Sequence, residues 1–567
     1  MSKKTFSVLF CLLTFSIAGI SQTIGTPPVK IPMLLSANFA ELRSNHFHSG
    51  IDIKIQGKIG LPLYSFDDGY ISRISVSPSG YGKALYIVHS NGYTTVYGHL
   101  DGFFNEADAY LKKYQYDNKT FEASLSLSEN EMPVKKGQLI GYGGNTGSSG
   151  GPHLHFEIRD TKTEEALDPL PFMQKYLTDT RPPQIRGIMI VPLNNAGIAD
   201  SSDYKKKYSL IADKKTGVKS IAENITAWGK IGIALTAYDY MDDVHNTFGV
   251  YDVSLKLDGV QIFGSRINKY VLDDTRYLNS FVDYEEYKKN NVYYMRSYIE
   301  PGNKLGVYNN TINKGIITIA EEREYKLTYT LTDYFGNQTV FDFTIQGKKA
   351  ELVPKPEEPG TIQMPYDCEN KYITNGIEFI IPEGGLYSDL NFKPGIRNSM
   401  ECISPVYTLH RRNVVPLHGY CPLKIKVPEN MLSGDISKYY IAAIVGKRKI
   451  YYKSEYKNGW FETQIRDLGD YAVVSDFTPP VITPLLPKKR KISGSINCKI
   501  SDAGSGIKTH YAEIDGKFFL MEYDAKTALL SGKLDSSQIQ KGTKHHFRLV
   551  VTDHCGNESE YVYSFIG

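Results

Sequence analysis

The most regular alternation of apolar and polar residues in the chain runs from His153 to Arg159. Leu154 and Phe156 alternate there with polar residues that include His153 and His155. A period of two predicts a half-buried β-strand, with both imidazoles on one face and the apolar side chains in a core. Two histidines on one strand face lie about 7 Å apart, near enough to serve one metal site. An isolated pair of this kind is more often structural, so the prediction depends on a second segment.

That second segment, residues 45–55, shows the same period near the start of the chain. Its isoleucines share one parity, and His48 and Asp52 share the other. The β-branched residues and a glycine argue against a helix here, and so against the helical His-Glu-x-x-His zinc motif. Zinc accepts imidazole nitrogen and carboxylate oxygen, and a catalytic site needs three protein ligands with a fourth position left for water. Two ligands from this strand and one from the strand that begins at His153 would satisfy that number.

Three further histidines lie in this part of the chain. His99 ends a strand-like run that has aromatic residues on the same parity. His46 lies two residues before His48 and is the rival ligand, although the spacing to Asp52 favours His48. His89 precedes a turn and is interpreted as an ordinary strand residue.

Four motifs together resemble those of the lysostaphin/LytM-type zinc endopeptidases. They are His48-x-Gly50-x-Asp52, Tyr97-Gly98-His99-Leu100, Gly143-Gly144-Asn145-Thr146-Gly147 and Gly151-Pro152-His153-Leu154-His155-Phe156-Glu157. Their order and approximate spacing are those of the family, and the match runs from about Ile31 to Pro171. The resemblance implies an antiparallel-sheet peptidase domain, which we place at residues 22–175.

The resemblance also implies roles for particular residues. His48, Asp52 and His155 would bind Zn²⁺, while His153 and His99 would act on the attacking water and on the developing oxyanion. We favour His153 as the general base, and the opposite assignment with His99 stays open. The implied substrate is the peptide cross-links of peptidoglycan, often at bonds that involve glycine or D-alanine.

One segment departs from the family pattern. Residues 101–134 are longer than the usual connection at this point, and they include a helical-looking stretch, Asn105–Tyr114. Because an insertion beside the cleft can change substrate choice, the bond that is cleaved stays open.

The chain begins with the pattern of a secretory signal peptide, residues 1–21. Lys3 and Lys4 precede an apolar run from Phe6 to Ile20, and small residues follow. The run is short for a membrane anchor, and no later segment is long and apolar enough to span a bilayer. We therefore expect an exported protein, in the periplasm or at the cell surface.

Beyond residue 175 the sequence repeats itself. Asp179-x-x-Pro182-Pro183 recurs as Asp476-x-x-Pro479-Pro480, Asp239 recurs as Asp502, and the ending Thr332-Asp333-x-x-Gly336-Asn337 recurs as Thr552-Asp553-x-x-Gly556-Asn557. The repeat predicts two immunoglobulin-like β-sandwiches, at residues 176–348 with insertions and at residues 476–567. Their expected role is spacing, or binding of the wall or of a protein partner.

Two further regions lie between the repeats. Residues 349–360 form a Pro-rich linker, and residues 361–475 form another β-rich module that the sequence does not identify. Three cysteines fall in that module, and Cys498 and Cys555 fall in the last one. In an exported chain they suggest a Cys498–Cys555 disulfide and one further pair, with one cysteine left over.

Length and composition fit this picture. A chain of 567 residues is too long for one core, and its many tyrosines, glycines and short alternating segments predict mainly β structure. The net charge of +3 is nearly balanced and gives no indication of a nucleic-acid partner. The leading hypothesis is an exported zinc metalloendopeptidase acting on peptidoglycan. The alternatives are a catalytically inactive relative that binds the wall or activates another hydrolase, and a zinc peptidase that acts on proteins.

Overall fold

The computed structural model describes residues 25–212, 219–352, 358–486, 494–535 and 539–567. Strands that pair antiparallel make up most of this structure, so the prediction of a mainly β protein is confirmed. The predicted signal peptide, residues 1–21, lies outside the described residues, as does the middle of the Pro-rich linker. None of the described helices has the length and apolar character needed to cross a membrane.

The N-terminal domain holds both of the predicted strands in the middle of one antiparallel sheet. Its strands β1 to β13 are Leu35–Ala37, Leu42–Arg43, His46–Phe47, Ile51–Lys54, Leu61–Tyr64, Gly69–Val76, Lys83–His89, Tyr93–Phe103, Ala123–Ser126, Pro133–Val134, Leu139–Gly143, His153–Asp160 and Ala166–Leu167, with helices α1 at Asn105–Asn118 and α2 at Leu170–Met173. The main strand order is β1-β4-β12-β8-β7-β6-β10. Leu154 and Phe156 of β12 pack with Ile51 of β4 in a core on one face. The opposite face carries the histidines.

The insertion after β8 forms the expected helix. Helix α1 continues beyond the predicted end and stops at Lys119, which adopts a left-handed conformation with φ 51°. Ala107, Leu111 and Gln115 are buried, at the spacing of one helix face. The helix therefore packs onto the N-terminal domain through a single stripe, while β9 and β10 of the same insertion pair with β6.

The second module packs against the N-terminal domain along a shared sheet edge and a shared core. Its strands β14 to β25 are Gln184–Ala199, Lys206–Ala212, Lys219–Ile221, Ile225–Tyr238, Asp252–Leu257, Val260–Arg266, Lys269–Tyr270, Met295–Arg296, Tyr308–Asn309, Ile317–Ile319, Glu324–Thr332 and Gln338–Gly347, with helices α3 at Leu278–Phe281 and α4 at Tyr284–Asn290. All of these strands except β20 form one connected sheet, whereas β20 pairs with β13 of the N-terminal sheet. Met241, Val244 and Phe248, from the loop after β17, belong to the N-terminal core.

The two remaining modules each enclose one core between antiparallel sheets, two five-stranded sheets and a two-stranded one in the third module and two four-stranded sheets in the last. In the third module, strands β26 to β37 are Ile362–Met364, Asn370–Ile373, Ile377–Ile381, Leu390–Phe392, Pro394–Arg397, Val406–Leu409, Pro416–Lys426, Tyr439–Val445, Arg448–Tyr452, Glu455–Lys457, Trp460–Asp467 and Gly469–Ser475. In the last module, strands β38 to β45 are Val481–Pro484, Ser495–Ser501, Ile507–Ile514, Lys517–Phe518, Glu522–Asp524, Leu529–Lys533, Lys544–Asp553 and Glu558–Ile566. The immunoglobulin-like assignment of residues 176–348 and 476–567 stays a prediction.

The cysteines differ from expectation. All five in the described residues are free thiols, so the predicted Cys498–Cys555 disulfide is wrong. Cys498 is buried in the core of its own module. Cys555 packs instead with Tyr440 and Cys402 of the preceding module. The two thiols belong to different cores, which explains why they do not pair.

Candidate metal centre and catalytic cleft

Two neighbouring strands bring the predicted ligands together. Strands β4 and β12 pair antiparallel with Asp52 opposite His155, and His48 lies just before β4. Glycine is required at position 50, because a Cβ atom on Gly50 would lie 2.2 Å from the carbonyl oxygen of Phe156. The His-x-Gly-x-Asp pattern thus lets the chain pass close to β12 on its way into β4.

His48, Asp52 and His155 place three possible ligand atoms around one point. The Nε2 atom of His48, the Oδ1 atom of Asp52 and the Nδ1 atom of His155 each lie 3.0 Å from the other two. All three residues are buried. Two imidazole nitrogens and one carboxylate oxygen suit Zn²⁺ and leave one coordination position for water or substrate.

In His48 and His155, the ring nitrogen that points away from the ligand group forms a hydrogen bond, and that bond fixes the tautomer of the ring. His48 donates from Nδ1 to the backbone carbonyl of Asn38 over 2.7 Å. His155 donates from Nε2 to the Oε1 atom of Glu157 over 2.8 Å. The nitrogens that meet Asp52 therefore carry lone pairs, as metal ligation requires. Two lone pairs and a carboxylate at this distance repel each other unless a metal ion or a proton lies between them. Burial alone would lower the pKa of His155, but its hydrogen bonds with Asp52 and Glu157 raise the pKa to about 9, so without a metal this ring holds the proton that a metal would displace.

Glu157 is fully buried behind His155 and is held by several donors. The hydroxyls of Ser49 and Tyr81 donate to its Oε1 atom, and Arg159 donates from Nε to Oε2 over 2.7 Å. Burial by itself raises the pKa of a carboxyl, but the hydrogen bond from His155 and the charge of Arg159 hold the pKa of Glu157 well below its usual range. An ionised carboxylate at this position orients His155 and increases its basicity as a ligand.

His153 lies on the same face of β12, next to the three possible ligands. Its Nδ1 atom donates to the carbonyl oxygen of Gly151 over 2.8 Å, so the neutral ring presents the lone pair of Nε2 to the cleft. That Nε2 atom is 3.4 Å from Oδ1 of Asp52, and the His153 side chain keeps 15% of its surface exposed. His153 is thus an accessible proton acceptor beside the ligand group.

His99 reaches the cleft through an irregularity in β8. Tyr97 and Leu100 both belong to the core, although strict alternation would put them on opposite faces. His99 lies between them with a left-handed φ of 62°, which turns its ring onto the cleft face. Its ring centroid is 4.8 Å from that of His153 and 5.8 Å from that of His155.

The protonation state of His99 follows from its surroundings. Burial, together with the neighbouring His155 and His153 rings, lowers the pKa of His99 to about 3. Its Nδ1 atom donates to the carbonyl oxygen of Thr146 over 2.9 Å. In the neutral ring the Nε2 atom is therefore an acceptor, and it becomes a donor only when the ring gains a proton.

These residues line an open cleft of about 490 Å³. The loop 143–151 forms one wall, where the Thr146 hydroxyl donates to the carbonyl of Leu100 over 2.9 Å. On the other side, the Arg43 guanidinium lies 3.5 Å from Oδ2 of Asp52. The glycine-rich loop predicted as the cleft edge is thus part of the cleft wall.

The last module also touches this wall. Lys526 donates from Nζ to the backbone carbonyls of Asn145 and Ser149, over 2.5 Å and 3.1 Å. The same module contacts helix α1, where Tyr116 and Phe518 meet edge to face. The loop beside the cleft is therefore held from outside the N-terminal domain.

The two remaining histidines of the N-terminal domain, His46 and His89, lie outside the ligand group. His46 is exposed and bonds the carbonyl of Ser44 through Nδ1, although it lies at the rim of the cleft. His89 is buried and uses both ring nitrogens, toward the Asp68 carbonyl and the Thr95 hydroxyl. Neither contributes a ligand atom to the group formed by the other histidines.

Three side chains around the site have no role in the sequence-based prediction: Glu157, which the motif contains, Tyr81 and Arg43. The one available signal is the parity of Glu157, which follows His155 on the same strand face. Arg43 and Tyr81 come from separate segments that only the folded chain brings together.

Comparison with known families identifies two parts of the chain. Residues 46–116 and 112–169 match the profile of Peptidase family M23. Residues 361–476 match the profile of the Zu5-like domain. The first match contains all five predicted site residues, and the second covers the module that the sequence alone did not identify.

Curated relatives resemble the same N-terminal region. The DD-carboxypeptidase/endopeptidase Mpg of Neisseria meningitidis is 34% identical over 118 residues, which cover 21% of each chain. The peptidoglycan DD-endopeptidase ShyA of Vibrio cholerae is 31% identical over 137 residues, 23% of this chain and 26% of that protein. Lysostaphin of Staphylococcus staphylolyticus is 28% identical over 129 residues, 22% of each chain. The similarity thus spans about a fifth to a quarter of these relatives.

Proposed function

We propose that the N-terminal domain, which belongs to the LytM-type M23 peptidase family, is an exported zinc endopeptidase that hydrolyses the peptide cross-links of peptidoglycan. The observation that carries the proposal is the convergence of His48, Asp52 and His155 on one point beside two further histidines. The names of the curated relatives, which include a peptidoglycan DD-endopeptidase, support the choice of substrate.

Zn²⁺ is the cofactor that this donor set fits. When bound, it supplies Lewis-acid polarisation of the scissile carbonyl and a lowered pKa for the attacking water. The chain prepares the site beforehand, because Asn38 and Glu157 hold His48 and His155 in the tautomers that ligation needs. Asp52 is the one anionic ligand, so the site keeps a net positive charge.

His153 is our candidate for the general base. Its Nε2 lone pair faces the ligand group, and the Gly151 carbonyl prevents the ring from presenting its other nitrogen. The ring can take a proton from a water in the cleft and pass it to the leaving amine. The carboxylate of Asp52, 3.4 Å away, stabilises the imidazolium formed in between.

His99 is our candidate for the group that responds to the developing oxyanion. In the resting state it is neutral, and Thr146 fixes its ring with Nε2 toward the cleft. Negative charge that develops nearby raises the proton affinity of such a ring, so His99 can then take up a proton from the solvent in the cleft, donate a hydrogen bond, and return that proton to solvent when the charge is lost. The two histidines thus differ in when they carry a proton.

The two alternatives are separated from the proposal in different ways. An inactive wall-binding or hydrolase-activating relative would not need both accessory histidines aimed at a ligand group, and here both are present. A zinc peptidase acting on proteins would use the same chemistry on a different chain, so only substrate tests separate it from the proposal.

The test compares substrates on the full chain without its predicted signal peptide. Purified peptidoglycan, uncross-linked muropeptides and a denatured protein such as casein are incubated with the zinc-loaded enzyme, and mass spectrometry identifies each product. We expect cleavage only where cross-links are present, and loss of cleavage in His153→Ala. Cleavage of casein alone would support the protein substrate, and no cleavage of any substrate would support the inactive alternative.

A further inference from the structure

The aspartates repeated along the sequence converge in space. In the second module, Asp179 precedes β14, Asp239 follows β17 and Asp333 follows β24. One carboxylate oxygen from each lies within 4.8 Å of the other two. We call these three residues the acidic cluster. It lies at the junction between the N-terminal domain and the second module and shares no residue with the proposed zinc ligands.

The acidic cluster is buried and its charges are not compensated. Asp179, Asp239 and Asp333 are 7%, 5% and 2% exposed. Oδ2 of Asp179 and Oδ1 of Asp239 are buried without a hydrogen-bond partner. Both residues also line a small enclosed cavity beside Tyr334. Carboxylate oxygens buried in this way are costly unless they bind a cation or a proton.

Arg181, the basic side chain whose charge acts on Asp239, forms its guanidinium hydrogen bonds with backbone carbonyls rather than with the carboxylates. Arg181 donates from its guanidinium to the backbone carbonyls of Met241 and Val244. Burial and the charges of the neighbouring aspartates raise the pKa of Asp239 to about 8 and raise the pKa of Asp179 as well. Without a cation, the cluster can therefore avoid repulsion between its carboxylates only by keeping a proton near neutral pH.

We propose that the acidic cluster is a binding site for a divalent cation, Ca²⁺. Three carboxylates offer only hard oxygen ligands, which Ca²⁺ prefers and which suit Zn²⁺ less well than the histidine-containing site does. The small cavity lined by Asp179 and Asp239 is where the unpartnered oxygens are found. The Ca²⁺ ion is thus a different kind of cation from the Zn²⁺ proposed for the catalytic centre.

The last module contains a copy of the cluster that serves as an internal reference. Asp476, Asp502 and Asp553 also bring one oxygen each within 4.8 Å of one another. There, however, both oxygens of Asp476 accept backbone amides, from Thr478 and Ser505. The Oδ2 atom of Asp502 likewise accepts amides from glycines. Because protein donors already satisfy these carboxylates, we infer no cation at the second copy.

The surrounding scaffold is the same in both copies. Asn337 donates from its backbone and side chain to Asp333, over 2.8 Å and 2.7 Å, and from its side chain to the Asp179 carbonyl over 3.1 Å. Asn557 makes the equivalent bonds to Asp553 and Asp476 over the same distances. Asp179 also accepts the amide of Arg181 at Oδ1, as Asp476 accepts that of Thr478. The copies differ at Oδ2 of Asp179 and Oδ1 of Asp239, which are buried without a partner in the first copy.

The site is connected to the proposed zinc ligands through one loop. That loop follows Asp239, and its Phe248 packs in the N-terminal core. Asn38 bonds both the carbonyl and the amide of Gly249 in this loop, over 2.8 Å and 2.9 Å. The backbone carbonyl of Asn38 in turn accepts the Nδ1 proton of His48. A cation that fixes Asp239 would therefore also stabilise the support of a zinc ligand.

The test measures Ca²⁺ binding to the zinc-loaded full chain by isothermal titration calorimetry in calcium-free buffer. We expect one saturable site with a Kd below about 10⁻³ M, which Asp239→Asn weakens about tenfold or more. Asp502→Asn, the equivalent change in the last module, is the matched control and should leave the binding unchanged. A rise in the temperature of unfolding with Ca²⁺ should follow the same pattern among the three proteins.

A second probe keeps the proposal testable if Asp239→Asn fails to fold. Terbium binds calcium sites, and Tyr334 beside the cavity can sensitise its luminescence in the unaltered protein. Tyrosine-sensitised emission that Ca²⁺ displaces supports the site. No saturable heat and no emission with folded protein would overturn it, as would binding that Asp502→Asn removes and a folded Asp239→Asn retains.

Discussion

The catalytic centre and the acidic cluster are both groups of three buried side chains, but they differ in their donors and in how the remaining atoms are bound. In the centre, each imidazole is held from behind, by Asn38 or by Glu157. In the cluster, two carboxylate oxygens have no hydrogen-bond partner at all. The side chains of the first group are therefore oriented without a metal, whereas the proposed Ca²⁺ would supply the missing partner in the second.

This difference indicates which kind of cation each group of side chains is suited to bind. Imidazole nitrogens directed by second partners favour a tightly held transition metal. Carboxylates alone favour a hard cation bound with adaptable geometry. The proposed catalytic site and the proposed structural site can thus be distinguished by the hydrogen bonds that hold, or do not hold, their ligand side chains.

The largest effect should come from removing a ligand of the catalytic centre. In His48→Ala or Asp52→Ala the remaining donors number two, fewer than a catalytic zinc site uses, so zinc and hydrolysis should be lost together. Metal analysis of the purified protein and release of soluble peptidoglycan fragments measure the two losses. His46→Ala is the matched control, because His46 lies near the cleft outside the ligand group. Loss of zinc from the control alone would contradict the assignment.

Replacing His153 should separate chemistry from metal binding. His153→Ala removes the proposed proton acceptor but no ligand, so turnover should fall about 10²–10⁴-fold while zinc is retained. Turnover on a soluble cross-linked muropeptide, together with zinc content, gives both quantities. A protein that loses its zinc instead would show that His153 is a ligand.

The carboxylate behind His155 should have an intermediate effect. Glu157→Gln keeps the shape but weakens the support of His155, and the affinity for zinc should fall about 10–100-fold. Competition with a chromogenic chelator measures that affinity, and activity should recover at high zinc concentration. As the control, Glu164→Gln replaces an exposed glutamate in the connection after β12, and it should change neither the zinc affinity nor the activity. An unchanged zinc affinity in Glu157→Gln would contradict the proposed role of Glu157 as the support of His155.

The acidic cluster should make stability depend on pH when calcium is absent. The pKa of Asp239 is raised to about 8 in the folded chain, so its stabilising protonated form is lost as pH rises from about 4 to about 8. The charged groups that act on it are Asp179, Asp333 and Arg181. Denaturant unfolding across this range should show stability falling with pH, and saturating Ca²⁺ should flatten the slope. A slope that Ca²⁺ leaves unchanged would contradict the site.

The smallest effect should come from the contact between the last module and the cleft wall. Lys526→Ala removes two hydrogen bonds to the carbonyls of Asn145 and Ser149. A contact of this kind contributes on the order of 1 kcal/mol, so we expect KM to change a few-fold and kcat to change little. Lys517→Ala, an exposed lysine of the same module, is the control. A large fall in kcat would mean that the module has a more direct part in catalysis.

Much of the catalytic centre could be predicted because strand alternation is a local property. The period of two in residues 153–159 placed His153 and His155 on one face, and the spacing from His48 to Asp52 supplied a second segment. The structure pairs these two strands as neighbours. The mainly β architecture followed from the same pattern, and the family resemblance is borne out by the match over residues 46–169.

Other features depend on tertiary structure and could not be predicted from strand alternation. By parity His99 belongs with Tyr97, which is in the core, and only the bulge and a left-handed φ turn it to the cleft. Asn38 supports His48 through a backbone carbonyl, which carries no residue-specific signal. The repeated aspartates were visible in the sequence, but their convergence requires strands distant along the chain to end at the same place. The disulfide prediction was wrong because shared module membership does not imply a shared core.

The most direct test of the central claim is zinc content measured together with peptidoglycan cleavage on the same preparation of the full chain. The account predicts about one zinc per chain, fragments whose new ends come from peptide bonds, and loss of both in His48→Ala but only of cleavage in His153→Ala. A chain that cleaves peptidoglycan without zinc, or that keeps its zinc after His48→Ala, would contradict it.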